Sequence, residues 1–234
     1  MLTFDQVSFF DPVKLYYPLN YFYEYYNEIR SEYDSKKDLI KWKPMHWDIG
    51  YLGQNEIAPE KYMGWSVAPI LGTVFTEKRS ITYHENSKIL TNITKIAETT
   101  RITARVGLLS LDPGVELKWH RDDDNPTYKN HELLRILWGL DIPEQEGREA
   151  FIEVENKNGI ERMKMQNNVI HIFASHNRHR VVNNLTEKRV VVSFDIISSH
   201  KHLNEIINQK DSKPIDRKFS KHPNNLKGKA DEIV

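Results

Sequence analysis

The chain contains no cysteine, which removes disulfides, thiolate metal sites and cysteine nucleophiles together. It carries no net charge, with Lys+Arg and Asp+Glu balanced at 33 each. That balance gives no electrostatic reason to expect nucleic acid or a membrane surface as a partner. No apolar run reaches transmembrane length. The opening MLTFDQVSFFDP lacks the basic, apolar and small-residue stretches of a secretory signal. The expected address is therefore cytoplasmic, and the sequons at Asn92 and Asn184 carry no meaning there. Internal repeats and low-complexity blocks are missing as well.

What remains is ordinary globular material. Hydrophobic residues make up 39% and charged residues 28% of 234, enough for one sizeable core. The expected organisation is a single domain over 1–234, with a helical N-terminal decoration (1–64), a β core (65–198) and a C-terminal helix with a basic tail (199–234). From Pro18 to Tyr33, apolar residues Leu19, Phe22, Tyr26, Ile29 and Tyr33 recur at steps of three and four, which predicts an amphipathic helix packed on the outside of the core. From about residue 65 the texture changes to short Val-, Ile-, Leu- and Phe-rich segments separated by Pro-Gly, Asn-Gly, Glu-Gly and Asn-Asn turns. That pattern predicts a mainly β sandwich or barrel. Asn158-Gly159 is its strongest hairpin cue. Residues 88–100 are expected to form a helix ahead of the barrel, and SSHKHLNEIINQ another after it.

Two His-x-Asp triplets occur, His46-Trp47-Asp48 and His120-Arg121-Asp122. Ten histidines and 33 acidic residues in 234 positions make about 1.4 such triplets by chance, so the motif decides nothing alone. Context favours the second. His120 ends the strand-like VELKWH, and in an extended segment His120 and Asp122 face the same side. His179 opens a later strand and supplies a third ligand. Two histidines and a carboxylate on one face leave other positions open, the arrangement that suits a non-haem Fe(II) that activates O₂. Arg189 lies ten residues beyond His179, at the head of the apolar run VVVSFDII. If the chain doubles back through NNLT, the two side chains stand at one height on neighbouring strands. A guanidinium in such a run must find an anion. Asp195, Glu187 or a dicarboxylic co-substrate would serve. His171, His176, Arg178 and Arg180 flank this region. The alternation places Arg178 and Arg180 outside or at the mouth, and Trp119 and Trp138 read as packing residues.

The segments LDPGVELKWH, LRILWGLDIP and FASHNRHRVVNNLTEKRVVVSFDI, taken in order, resemble the aspartyl/asparaginyl β-hydroxylase and proline hydroxylase-like branch of the Fe(II)- and 2-oxoglutarate-dependent dioxygenases. The resemblance runs from Val106 to Ile197. It implies a double-stranded β-helix, the jelly-roll, cupin-like barrel. It implies His120 and His179 as the iron-binding histidines and Arg189 as the residue binding the distal carboxylate of 2-oxoglutarate; Asp122, the ligand that strand alternation selects, stands where the vertebrate-type β-hydroxylases have glycine, so this chain keeps a complete triad. Arg135, in LRILWGL, falls where this branch places a second arginine on the co-substrate, with Leu137 where it commonly has a histidine. The implied activity is hydroxylation of an amino acid or peptidyl side chain, with 2-oxoglutarate and O₂ converted to succinate and CO₂. A non-catalytic cupin-like protein that binds a metal or small acid is the alternative. A zinc hydrolase is a third reading, weakened by the lack of H-E-x-x-H. The substrate and the oligomeric state are not legible in the residues.

Overall fold

A computed structural model describes residues 6–12, 19–44, 64–74, 80–99, 105–121 and 131–208. The helices are α1 (Leu19–Glu24), α2 (Tyr26–Lys36), α3 (Asn86–Ile89), α4 (Thr91–Thr99) and α5 (His200–Asn208). The strands are β1 (Lys43–Pro44), β2 (Trp65–Val74), β3 (Ser80–Tyr83), β4 (Arg105–Leu111), β5 (Glu116–His120) and β6 (His131–Asp141), followed by β7 (Ala150–Asn156), β8 (Gly159–Lys164), β9 (Ile170–Ala174), β10 (His179–Asn183) and β11 (Arg189–Ser199). One sheet runs β1-β2-β4-β11-β6-β9 with β3 beside β2, and the other runs β5-β10-β7-β8. The last eight strands fall four to each sheet in the order of a double-stranded β-helix, with the β7–β8 hairpin inside the small sheet, so the protein is a mainly β jelly roll with flanking helices.

Residue parity along the large sheet divides two cores. Leu134, Ile136, Trp138 and Leu140 of β6, with Val190, Val192 and Phe194 of β11, face the helices. Leu137, Phe173 and Val191 face the barrel interior with Ile152 and Val181 of the small sheet. Both faces are therefore apolar, which is why these strands read as near-continuous hydrophobic runs. The predicted helix over 18–33 is realised as two, broken at Tyr25; Pro18 lies outside the described residues. Phe22 fixes the pair to the sheet, stacked on Phe194 at 4.7 Å between ring centroids and edge-on to Trp138 at 5.2 Å. Glu32 binds α2 to α4: its carboxylate accepts from the backbone N–H groups of Thr91 (3.0 Å) and Asn92 (2.9 Å), the Thr91 hydroxyl (2.7 Å) and Lys36 Nζ (2.9 Å). It thus caps the first turn of α4, where N–H groups otherwise lack partners.

The hairpin cue at Asn158-Gly159 sits one residue late. Asn156 pairs with Gly159, so Lys157 and Asn158 form the turn between β7 and β8. On the interior face, β6 has glycine at 139 because the chain at Gln166 crosses it closely. A Cβ there would meet the Gln166 carbonyl oxygen at 1.9 Å.

The expected doubling-back between His179 and Arg189 does not occur. β10 pairs with β5 and β7, whereas β11 pairs with β4 and β6, so the chain crosses from one sheet to the other. Asn183, fully buried, pins this crossover. Its side-chain amide donates to the carbonyls of Leu111 (2.9 Å), Asp112 (3.0 Å) and Glu187 (3.0 Å). Arg189 and His179 consequently approach each other across the barrel rather than along a ladder.

Candidate functional site

His120 reaches the interior through a register shift. In the β5–β10 ladder His179 opposes His120 and Val181 opposes Leu117, with the irregularity between them. Strict alternation from Leu117 would turn His120 outward. The bulge instead aims both Leu117 and His120 into the barrel, where both line one cleft. Trp119 is left on the outer surface between Arg178 and Arg180, 5.2 and 5.3 Å from their guanidinium carbons. Those arginines bind Glu155, Glu153 and Glu116 on the same outer face.

The rings of His120 and His179 lie 4.3 Å apart between centroids. Each donates from Nδ1 to a backbone carbonyl two residues earlier, His120 to Lys118 (2.7 Å) and His179 to Asn177 (2.8 Å). A carbonyl only accepts, so each neutral ring has its proton on Nδ1 and its lone pair on Nε2. That is the tautomer in which paired histidines hold a metal through Nε2. Asp122 lies outside the described residues, as do His46 and Asp48. Among the described residues no third histidine or carboxylate joins the two rings in a metal-sized cluster.

Arg189 stands on the facing sheet, in register with Leu111. It is 4% exposed, and neither Nε nor Nη1 has a hydrogen-bond partner among the described residues. Burial alone pushes its pKa down to about 10. Neither carboxylate suggested as its partner serves it. Asp195 instead binds Arg135, at 2.7 Å to Nε and 3.3 Å to Nη2, and Glu187 accepts from Gln145 on the surface. Arg135 is thus anchored by Asp195 while still lining the cleft. The cleft measures about 380 Å³ with its open mouth. Its walls are His120, His179, Arg189 and Arg135 set among Trp65, Leu109, Leu111, Leu117, Leu137, Phe173 and Val181.

The arrangement is two metal-competent imidazoles on one wall and a desolvated guanidinium on the other, in an apolar setting. It fits a metal chelated by a small dicarboxylate. The donors are nitrogen bases of the correct tautomer, and the guanidinium has no anion among the described residues. Sequence reasoning did not find the bulge at β5, the Arg135–Asp195 pair or the inward turn of His171. The only signal for the last is parity: His171 precedes the interior Phe173 by two residues.

A family model described as aspartyl/asparaginyl β-hydroxylase matches residues 23–199. Among solved structures, an oxidoreductase of the 2OG-Fe(II) oxygenase family from Burkholderia pseudomallei is 13% identical over 63% of this chain and 74% of its own, with a TM-score of 0.41. A cupin domain from Bordetella pertussis Tohama I is 18% identical over 41% of this chain and 81% of its own, with a TM-score of 0.28. The comparison with curated proteins finds no match.

Proposed function

The chain belongs to the aspartyl/asparaginyl β-hydroxylase family, and from that premise we propose that it is an iron(II)- and 2-oxoglutarate-dependent dioxygenase hydroxylating an amino acid or a peptidyl side chain. The observation that carries this reading is Arg189, a buried cation with no carboxylate partner among the described residues, lining one cleft with two histidines whose Nδ1 atoms are committed to backbone carbonyls. A buried guanidinium without a partner is costly, and such cost concentrates where a ligand repays it.

His120 and His179, with Asp122, would hold the iron, and Arg189 would hold the distal carboxylate of 2-oxoglutarate. Bound there, Fe(II) with 2-oxoglutarate and O₂ supplies the oxidising power to hydroxylate an unactivated C–H bond, leaving succinate and CO₂. The chain's own contribution is geometric and electrostatic. The Lys118 and Asn177 carbonyls lock both imidazoles in one tautomer and one ring orientation. Arg189 supplies a planar two-pronged contact that a lysine would not reproduce. Arg135, held still by Asp195, places a second guanidinium in the wall beside the co-substrate. Trp65, Leu111, Leu117 and Phe173 keep the chamber dry, which strengthens each of these contacts. The same reading takes residues 1–234 as one catalytic unit in the cytoplasm, with O₂ and a small amino acid or peptide as its partners and neither nucleic acid nor membrane. Among the described residues no helix is long and apolar enough to cross a membrane.

The test is anaerobic addition of Fe(II) and then 2-oxoglutarate, watching for the weak visible charge-transfer band of the chelate. The band should form in wild type, vanish in His179→Ala with loss of retained iron, and need far more 2-oxoglutarate in Arg189→Ala. Folded wild-type protein that binds iron but never gives the band favours the non-catalytic cupin-like alternative.

A further inference from the structure

At the closed end of the barrel a second polar side chain stands without a partner. His171 is 3% exposed, and neither ring nitrogen makes a hydrogen bond among the described residues. Its strand places it on the interior face. Phe173, two residues along, lines the cleft and packs 4.8 Å from the His179 ring, and His171 itself lies in register with the cleft residue Leu137. Beyond it the N-terminal segment seals the barrel. Phe9 meets the His171 ring edge-on at 6.3 Å, and the Phe10 N–H donates to the Ile172 carbonyl at 2.8 Å. The ring therefore faces inward from a capped end, away from bulk water.

Four described residues, Ser110, His171, Asn177 and Arg189, have buried side-chain polar atoms without a described partner, and of these only His171 and Arg189 can carry a charge. They also feel each other: after burial, the Arg189 charge is the main influence that holds the His171 pKa down, to about 4. The Lys164 carbonyl pulls weakly the other way but stands outside hydrogen-bonding geometry to either nitrogen. At neutral pH the ring is thus an uncharged donor beside a cation. We propose that His171 donates a hydrogen bond to the same carboxylate that Arg189 holds, so that a cation and a neutral imidazole together form the seat for the distal end of a dicarboxylic 2-oxo acid. The inference rests on the co-substrate reading of Arg189. The charges agree with it: one guanidinium neutralises one carboxylate, and a neutral imidazole adds a hydrogen bond without leaving excess charge in a dry pocket.

Anaerobic titration of the Fe(II)-loaded protein with 2-oxoglutarate, and with 2-oxobutanoate, which lacks the distal carboxylate, separates the possibilities. His171→Leu should weaken 2-oxoglutarate binding about tenfold or more and leave 2-oxobutanoate binding within twofold. His171→Gln, which retains an N–H donor, should recover part of the loss, and His171→Phe, which lacks the donor but fills the site, replaces the leucine variant if that fails to fold. Unchanged 2-oxoglutarate affinity in His171→Leu, or in His171→Phe where it takes the leucine variant's place, or an equal loss for both acids, overturns the inference and leaves His171 as packing. Wild-type protein that does not prefer 2-oxoglutarate over 2-oxobutanoate removes the co-substrate reading of Arg189, and this inference with it. Loss of that preference in Arg189→Met but not in His171→Leu would sink only the role of His171.

Discussion

Replacing Arg189 with methionine is expected to make the ligand-free protein more stable while abolishing its grip on 2-oxoglutarate. Burial pushes the guanidinium's pKa well below its ordinary value, down to about 10. At about 1.4 kcal/mol per pH unit, keeping it charged costs the folded state roughly 3 kcal/mol. A base whose proton affinity falls on folding carries that penalty in full below its folded pKa of about 10 and loses it only as the pH climbs toward its unfolded value, so neutral buffer shows all of it. Methionine has similar length, no charge and apolar neighbours in Trp65, Leu111 and Leu137. Arg189→Met should therefore recover about 1–3 kcal/mol without ligand. In a chain of this size each 1 kcal/mol moves the melting midpoint by about 2–4 °C, so the rise should be roughly 2–12 °C by circular dichroism. With Mn(II) present, 2-oxoglutarate at a hundredfold excess over its Kd should add about 2.7 kcal/mol to wild type and nothing to the variant. A ligand-free variant that melts below wild type would refute the reasoning, because the guanidinium would then be making a stabilising contact of its own.

Glu32 should act as an acid-sensitive clamp. Burial alone would raise its pKa, but the hydrogen bonds from Thr91, Lys36 and Asn92 outweigh burial and hold it below its ordinary value of 4.5. Its stabilisation is then present above pH 4.5 and lost as the pH falls through the lower folded value. Glu32→Gln should cost about 1–3 kcal/mol at pH 7 in urea denaturation, with the gap to wild type closing in acid; a gap that widens in acid contradicts the assignment. His171 should add a separate acid penalty. Its pKa drops from 6.5 to about 4, so roughly 3 kcal/mol of stability should drain away between those two values. His171→Leu should flatten that part of the pH profile, and an unchanged profile would show that the ring is not held neutral. Phe22→Ala should cost about 3–5 kcal/mol by removing the ring between Phe194 and Trp138; a loss under 1 kcal/mol would mean the helical layer contributes little to the fold.

The β-rich texture, the helices near 19–36, 88–100 and 200–208, and the strand character of VELKWH, HRVVNN and RVVVSFDII are local properties, carried by periodicity and turn residues within a few positions of each other. They were legible in the chain itself, as was the resemblance carried by its histidines and arginines. The location of Arg189 could be inferred because a guanidinium at the head of an apolar strand must face inward toward an anion. Which anion was not legible. Asp195 lies six residues from Arg189 but is claimed by Arg135, sixty residues away in sequence. The hairpin expected between His179 and Arg189 failed for a similar reason. Local turn chemistry marks where a chain turns, whereas Asn183, bonded to carbonyls about seventy residues away, directs it into the opposite sheet. The bulge that aims His120 inward and the register that sets His171 beside the interior Leu137 likewise depend on pairing between distant strands. Sequence determined which histidines and arginines stand as candidates at the strand ends; only tertiary structure decided which of them line one cleft, because facing is a property of non-local register.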